Sequence, residues 1–159
     1  MIRPTAARRI VECQACMPYI VDTNIFNRLV DGIITPDDLP SDGLFVATHV
    51  QIDEINNTND KERRARLFLK FVEVGPKIVT TESFVLEVSR LDHGKLSDGV
   101  LFAKLKQDLD AMNKSKPNNV QDVLIAEVAI VNGFTLLTAD GDLCEVVKRH
   151  GGMTAYFKA

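Results

Sequence analysis

Two acidic side chains stand where strands of a sheet are expected to end. Asp22 follows the short apolar run YIV, and Asp140 follows the apolar run FTLLTA. Both runs have the composition of buried strands. In a parallel sheet the carboxyl ends of the strands share one edge, and ligands bind there. We therefore expect Asp22 and Asp140 to lie close together.

Two further acids are expected at the same edge. Asp122 lies in the first turn of the helical pattern 120–132, directly before the strand that ends at Asp140. A right-handed crossover brings the start of such a helix close to the sheet edge. Glu54 belongs to a separate helical stretch, HVQIDEI. Its neighbour Asp53 is an alternative, and helical spacing alone does not separate the two.

A cluster of carboxylates favours a divalent cation. Neighbouring carboxylates repel one another, and burying each as an anion costs much free energy. A hard cation such as Mg²⁺ or Mn²⁺ stabilises the cluster and keeps some of its waters. The ion can activate a bound water and neutralise charge on a transition state. The residues therefore point to chemistry at a phosphodiester.

Each acid also has an explanation that requires no ligand. Aspartate is favoured at helix N-caps and in first turns, where it accepts hydrogen bonds and complements the helix dipole. Asp22, Asp122, Asp140 and Asp142 all precede or begin a predicted helix. The pair Asp140–Gly141 is also common in turns. Only the combination of acids favours a ligand site.

Strand and helix patterns alternate along the chain. Short apolar runs such as YIVD, LFVA and FTLLTAD are separated by helical patterns. This alternation predicts an α/β fold with a mainly parallel sheet covered on both faces. The 159 residues contain no repeat or long linker, so we predict a single domain over 1–159. Residues 1–17 form an N-terminal extension, and 78–98 have the pattern of a β-rich insertion.

The composition is that of an ordinary globular protein, with 45% hydrophobic and 26% charged residues. A net charge of −3 argues against a protein that coats nucleic acid, unless acids gathered around a metal account for it. The chain has no apolar run near the roughly 18 residues of a membrane span and no signal-peptide pattern, which predicts a cytoplasmic protein without a membrane partner. Cys13 and Cys16 form a CxxC without a second ligand pair, which favours reduced thiols over a zinc site.

Three segments together resemble a known family. In sequence and order, IVDTNIFNRLV, HVQIDEI and NNVQDVLIAEVAIVNGFTLLTADGDL resemble the PIN-domain ribonucleases, which include VapC-type toxins of toxin–antitoxin pairs. The resemblance runs from about Tyr19 to Val147. It implies a Rossmann-like three-layer α/β/α sandwich that binds Mg²⁺ or Mn²⁺ and hydrolyses RNA.

The resemblance also implies roles for particular residues. The catalytic acids would be Asp22, Glu54, Asp122 and Asp140. The metal would be bound by Asp22, Asp122, Asp140 and Asp142. Asn24 and Thr138 match polar positions that support the acids. The family motif favours Glu54 over Asp53, because an apolar residue follows the acid.

A toxin would form a homodimer, and a small antitoxin would donate an Arg or Lys to its acids. The chain departs from the family pattern in its N-terminal extension, in residues 78–98 and in Leu143, which replaces a common aromatic residue. These departures bear on the toxin role and not on the acids, none of which is missing.

The densest basic patch is KERRAR, a candidate RNA-binding surface formed by Lys61, Arg63, Arg64 and Arg66. A solvated helix face explains it equally well.

Two other functions fit part of the pattern. A Toprim-like phosphoryl-transfer enzyme would pair Asp140 and Asp142 with a Glu where this chain has Asp22, and it would not use Glu54. A non-catalytic RNA- or protein-binding module on a PIN scaffold would be expected to lack some acids.

Overall fold

The computed structural model describes residues 17–158, in which five strands form one sheet between two layers of helices. The strands are β1 (Tyr19–Val21), β2 (Phe45–Ala47), β3 (Lys77–Ile78), β4 (Thr135–Thr138) and β5 (Met153–Tyr156). The helices are α1 (Thr23–Val30), α2 (His49–Asn56), α3 (Lys61–Val74), α4 (Val100–Asn113), α5 (Asn119–Asn132) and α6 (Gly141–Arg149), with a 3₁₀ turn at Pro36–Asp38.

The sheet is parallel throughout, and its strand order is β3-β2-β1-β4-β5. Tyr19 of β1 is in register with Phe45 of β2 on one side and with Thr135 of β4 on the other. β1 is therefore the central strand, with β2 and β3 on one side of it and β4 and β5 on the other. The order reverses between β1 and β4, which is the place where open parallel sheets bind ligands.

Alternate residues of the central strands enter two separate cores. Ile20 and Leu136 pack with α4, α5 and α6 on one face of the sheet. Val21 and Leu137 pack with α1 and α3 on the other face. Because both faces are covered, the strands are apolar on both sides, as the runs in the sequence indicated. The predicted α/β/α sandwich with a parallel sheet is confirmed.

Helix α2 is fixed to the end of β1 by a buried glutamine. Thr48 caps the helix through a reciprocal capping box with Gln51. The Gln51 side chain also donates from Nε2 to the carbonyl oxygen of Val21, at 2.9 Å. This bond joins α2 to the carboxyl edge of the central strand and thereby sets the position of Glu54.

Residues 78–98 differ from the predicted β-rich insertion. Only β3 and an isolated bridge between Thr81 and Gly94 are β structure in this region, and turns make up most of the rest. Val79, Val85 and Val88 pack against the core from irregular backbone, so the β-branched composition reflects burial. A few backbone hydrogen bonds, at Val79 and Thr81, and side-chain hydrogen bonds such as that from Ser83 to Glu127 hold the segment.

Two sequence predictions fall on residues that the structure does not describe. The N-terminal extension lies outside them except for Met17, and so does the Cys13–Cys16 pair. The remaining cysteine, Cys144, is buried with a free thiol. None of the helices in the described part of the chain is long and apolar enough to cross a membrane.

Candidate functional site

A cleft of about 150 Å³ lies at the carboxyl edge of the sheet, where the strand order reverses. The residues that line it are Asp22, Thr23, Asn24, Asn27, Glu54, Asn118, Asp122 and Asp140. The fold thus brings together all four predicted acids from four elements: the ends of β1 and β4, the last turn of α2 and the first turn of α5. Two larger depressions, of about 280 and 460 Å³, are not lined by any of these acids.

Asp22 is held by the two polar residues that the sequence predicted as its support. The Thr138 hydroxyl and the Asn24 amide both donate to Asp22 Oδ2, each at 2.7 Å. Thr138 in turn accepts a hydrogen bond from the Asp140 backbone N–H at 3.0 Å. Asn24 accepts one from the Ala139 N–H, also at 3.0 Å. This network joins the ends of β1 and β4 and fixes the carboxylate of Asp22.

Burial and mutual repulsion alter the acidity of the cluster. Burial raises the pKa of Asp22 to about 6, the Thr138 hydrogen bond opposes the change, and Asp140 adds to it. Burial also raises the pKa of Glu54 to about 7, against a hydrogen bond from Thr23. The pKa of Asp122 rises to about 9, through burial first and then through repulsion by Asp22, Glu54 and Asp140. At neutral pH this carboxyl group therefore keeps a proton unless a positive charge is close.

The donor set fits a hydrated divalent cation better than a closed metal site. Within residues 17–158 no three acidic, histidine or cysteine side chains are placed to enclose an ion. Mg²⁺, however, commonly takes one or two carboxylates and keeps several waters. The cleft offers hard oxygen ligands, and the raised pKa values of Asp22 and Asp122 mark a site in which positive charge, from Lys116, offsets the negative charge only in part. Asp22 and Asp122, the most buried of the acids, are the residues that would hold the ion.

Three polar residues of the cleft were missed in the sequence. The Thr23 hydroxyl donates a hydrogen bond to Glu54 Oε2. Asn118 occupies the N-cap position of α5 without a capping hydrogen bond, and its amide donates to Asp122 Oδ2 at 3.1 Å. Asn27 lines the cleft one helical turn after Thr23. Two of them could have been found from their positions. Thr23 directly follows Asp22, and Asn118 lies four residues, or one helical turn, before Asp122.

Asp142 lies apart from the four acids. It is partly exposed and does not line the cleft, and its backbone N–H donates to Asp140 Oδ1 at 2.9 Å. Asp140 thus caps α6 in addition to lining the cleft. Asp142 has no contact that would support the metal-binding role predicted for it.

The basic patch is divided between paired and exposed side chains. Arg63 makes a bidentate ion pair with Asp31 at 2.6 and 3.0 Å and also donates to Asn27. Arg64 donates to two backbone carbonyl oxygens in the turn before α3. Lys61 and Arg66 are exposed. Arg63 and Arg64 are therefore engaged within the protein, and the solvated-face explanation describes Lys61 and Arg66.

Comparisons with known proteins support the fold. No family model matches the sequence, and no curated protein matches it. A chain in the crystal structure of VapBC2 from Rickettsia felis, bound to a DNA fragment from their promoter, is 18% identical; the match covers 89% of this chain and all of that chain, with a TM-score of 0.56. A domain of a functionally unknown protein from Methanocaldococcus jannaschii is 16% identical over 91% of this chain and 93% of that one, with a TM-score of 0.51. The fold that the PIN-domain resemblance implied is therefore confirmed.

Proposed function

We propose that this chain is a ribonuclease that hydrolyses RNA with Mg²⁺ or Mn²⁺ held by the acids of the cleft. One observation carries the proposal. Four acids from separate elements converge at the switch point of the sheet, where the charge of Lys116 only partly offsets the burial and repulsion of Asp122. A cation supplies further positive charge, and a phosphodiester is the substrate class that such an ion serves.

We assign different tasks to the acids. Asp22 and Asp122 hold the ion, Asp140 adds a negative charge beside them, and Thr138 and Asn24 fix the orientation of Asp22. When bound, the ion supplies an acidified water and neutralises charge on the phosphodiester. Glu54 is assigned to accept the proton of the attacking water, because its pKa of about 7 lies near the pH at which it would work. Lys61 and Arg66 are assigned to attract the phosphates of RNA.

The two alternatives account for fewer of these contacts. A Toprim-like enzyme has no use for Glu54, yet this residue lines the cleft beside Asp22. A non-catalytic binding module gives no reason to keep four acids together against their repulsion. We therefore prefer the ribonuclease.

Removal of the metal is the first test of the proposal. We expect the protein to cleave a mixed RNA pool with Mg²⁺ or Mn²⁺ and to lose this activity in EDTA. Asp140→Asn should lower the rate by about a hundredfold, because it removes a charge from the cleft but keeps a residue that caps helices well. Asp142→Asn, the same change two residues away, should cleave at the wild-type rate. Equal effects of the two variants, or cleavage that persists in EDTA, would contradict the proposed site.

Thr138 provides a test of how Asp22 is positioned. Thr138→Val keeps the shape of the side chain but removes a donor to Asp22 and an acceptor for the Asp140 N–H. We expect cleavage to fall by about 10- to 100-fold, the usual effect of losing a partner of a metal ligand. The affinity for Mn²⁺, followed by calorimetry, should fall with it. Thr135→Val, at the other end of β4, is the control; an equal effect there would indicate general damage to the strand.

A toxin role is the more specific form of this proposal. The Rickettsia felis structure that shares the fold is a VapBC pair, which favours a small antitoxin partner for this chain as well. The acidic cleft would accept an Arg or Lys from such a partner, and we propose that the toxin is a homodimer. Expression of this chain alone should then arrest growth, and Asp22→Asn should restore it. Normal growth together with confirmed nuclease activity would contradict the toxin role.

A further inference from the structure

A second cavity, of about 210 Å³, adjoins the acidic cleft. The residues that line it are Val50, Asp53, Glu54, Asn56, Asn57, Glu87, Val88 and Gln121. Glu54 lines both cavities, and Gln121 directly precedes Asp122 on α5. We propose that this cavity, called here the base pocket, binds a nucleobase next to the scissile phosphate and prefers bases that carry an amino group. The inference rests on the proposed ribonuclease function.

The negative charge of the residues that line the base pocket disfavours the binding of a phosphate group there. Asp53, Glu54 and Glu87 contribute carboxylates, and no lysine or arginine is among the described residues of the lining. Asp53 is paired with Arg90, which lies outside the pocket. A phosphate would thus meet only repulsion, whereas an uncharged ring with hydrogen-bond donors at its edge would not. The part of an RNA chain that fits this description is a base.

The size and the walls of the pocket also suit a single base. Pockets for drug-sized ligands are usually about 300–1,000 Å³, so a volume of 210 Å³ suits a smaller group. Val88, which is half-buried, provides apolar surface for the face of a ring. Polar side chains share the lining with it, and single-stranded RNA is recognised by this combination of contacts to the face and edge of an unstacked base.

Two residues of the lining, Gln121 and Glu87, carry acceptors for a ligand that donates hydrogen bonds. Gln121 Oε1 is buried and accepts no hydrogen bond from the described residues, an arrangement that costs free energy. Glu87 has a φ of 70°, in the left-handed region that residues other than glycine seldom adopt. Such strain is typical of functional positions, and here it occurs at an acid that lines the pocket. The exocyclic amino group of cytosine, adenine or guanine can donate to the Glu87 carboxylate and, when the buried Gln121 amide turns towards the pocket, to its oxygen; uracil has no such group.

The wall that carries Glu87 belongs to the segment in which the chain departs from the PIN pattern. Ser83 donates to Glu127 of α5 at 2.8 Å, and Arg90 pairs with Asp53 of α2. The segment is therefore fixed to the two helices that also carry Glu54 and Asp122. We assign its function to the selection of RNA and not to its cleavage.

Binding of two matched ligands tests the base pocket without requiring cleavage. Fluorescein-labelled penta-cytidylate and penta-uridylate are titrated with the Asp22→Asn protein and followed by anisotropy. These RNAs differ in the 4-amino group of cytosine against the 4-oxo group of uracil, and in N3, which accepts a hydrogen bond in cytosine and donates one in uracil. We expect penta-cytidylate to bind about tenfold more tightly, within the range of discrimination by base-edge hydrogen bonds. Adding Gln121→Leu should reduce the ratio to less than about twofold, whereas Gln107→Leu on the exposed face of α4 should leave it unchanged.

The possible outcomes separate this inference from the function on which it rests. Equal binding of the two RNAs, no binding of either, or a preference that survives Gln121→Leu would overturn the base pocket. If penta-cytidylate binds more tightly in a way that depends on Gln121, and the wild-type protein cleaves no RNA, the base pocket is supported. The proposed ribonuclease function is then contradicted. Sequencing the ends produced from a random RNA pool gives the matching result for cleavage: uridine should be depleted at one position beside the cut, and less so with Gln121→Leu.

Discussion

Asp22→Asn is expected to reduce RNA cleavage by about a thousandfold or more, because it removes one of the two carboxylates that we propose bind the metal. Asparagine has the shape of aspartate, and its remaining oxygen can still accept the hydrogen bonds from Thr138 and Asn24. The fold should therefore persist while the ion loses its ligand. Single-turnover cleavage of a labelled RNA, with circular dichroism as a check on folding, measures the effect.

The same assay separates the ribonuclease from the Toprim-like alternative. Glu54→Gln should also lower the rate strongly, by about a hundredfold, if Glu54 accepts a proton during the reaction. A Toprim-like enzyme would lose activity with Asp22→Asn and keep it with Glu54→Gln. Asp142→Asn serves again as the control for loss of a charge outside the cleft. Activity of Asp22→Asn within tenfold of wild type would contradict the assignment of Asp22.

Asp122→Asn should stabilise the metal-free protein, even though it is expected to destroy activity. The folded state raises the pKa of Asp122 to about 9, far above the value of about 4 for an aspartate in an unfolded chain. Between these values the folded protein binds a proton that the unfolded chain releases. Its stability therefore falls as the pH rises through this window. Asparagine does not titrate, so the variant avoids this loss.

Thermal unfolding in EDTA measures the effect. At pH 7 we expect Asp122→Asn to unfold about 5–10 °C above wild type, which corresponds to a few kcal/mol in a chain of this size. The difference between the two unfolding temperatures should shrink towards pH 5, because Asp122 destabilises the wild-type protein less there. Mn²⁺ should raise the unfolding temperature of wild type more at pH 8 than at pH 5 and have little effect on the variant. If the variant unfolds at or below the wild-type temperature at pH 7, Asp122 does not destabilise the metal-free protein.

The sequence is sufficient to predict the sheet and most of the cleft, because both depend on local pattern. Short apolar runs mark β1 and β4, and an acid at the end of each necessarily reaches the same edge of a parallel sheet. Asp122 follows from its place in the first turn of a strongly apolar helix. These features require only the period of the pattern and the direction of the crossover.

The other features depend on contacts between distant parts of the chain. Helical spacing did not separate Glu54 from Asp53; the structure places Glu54 in the cleft and pairs Asp53 with Arg90. Val79, Val85 and Val88 of the 78–98 region pack against the core, partly buried, without forming strands, so their composition was misleading. Nothing in the pattern of the basic patch shows that Asp31 neutralises Arg63. Each of these outcomes is set by a partner that lies far away in sequence.

The two cavities rest on parts of the fold that should differ in how easily they open. Asp22 follows the central strand, and its backbone N–H bonds to the Leu137 carbonyl oxygen across the sheet at 3.0 Å. Glu87 stands on irregular backbone, in a segment that side chains of Ser83 and Arg90 join to α5 and α2. Local openings begin in such peripheral segments, whereas central strands open only with the whole domain. In mild denaturant the protein should therefore stop discriminating among bases before it stops cutting RNA.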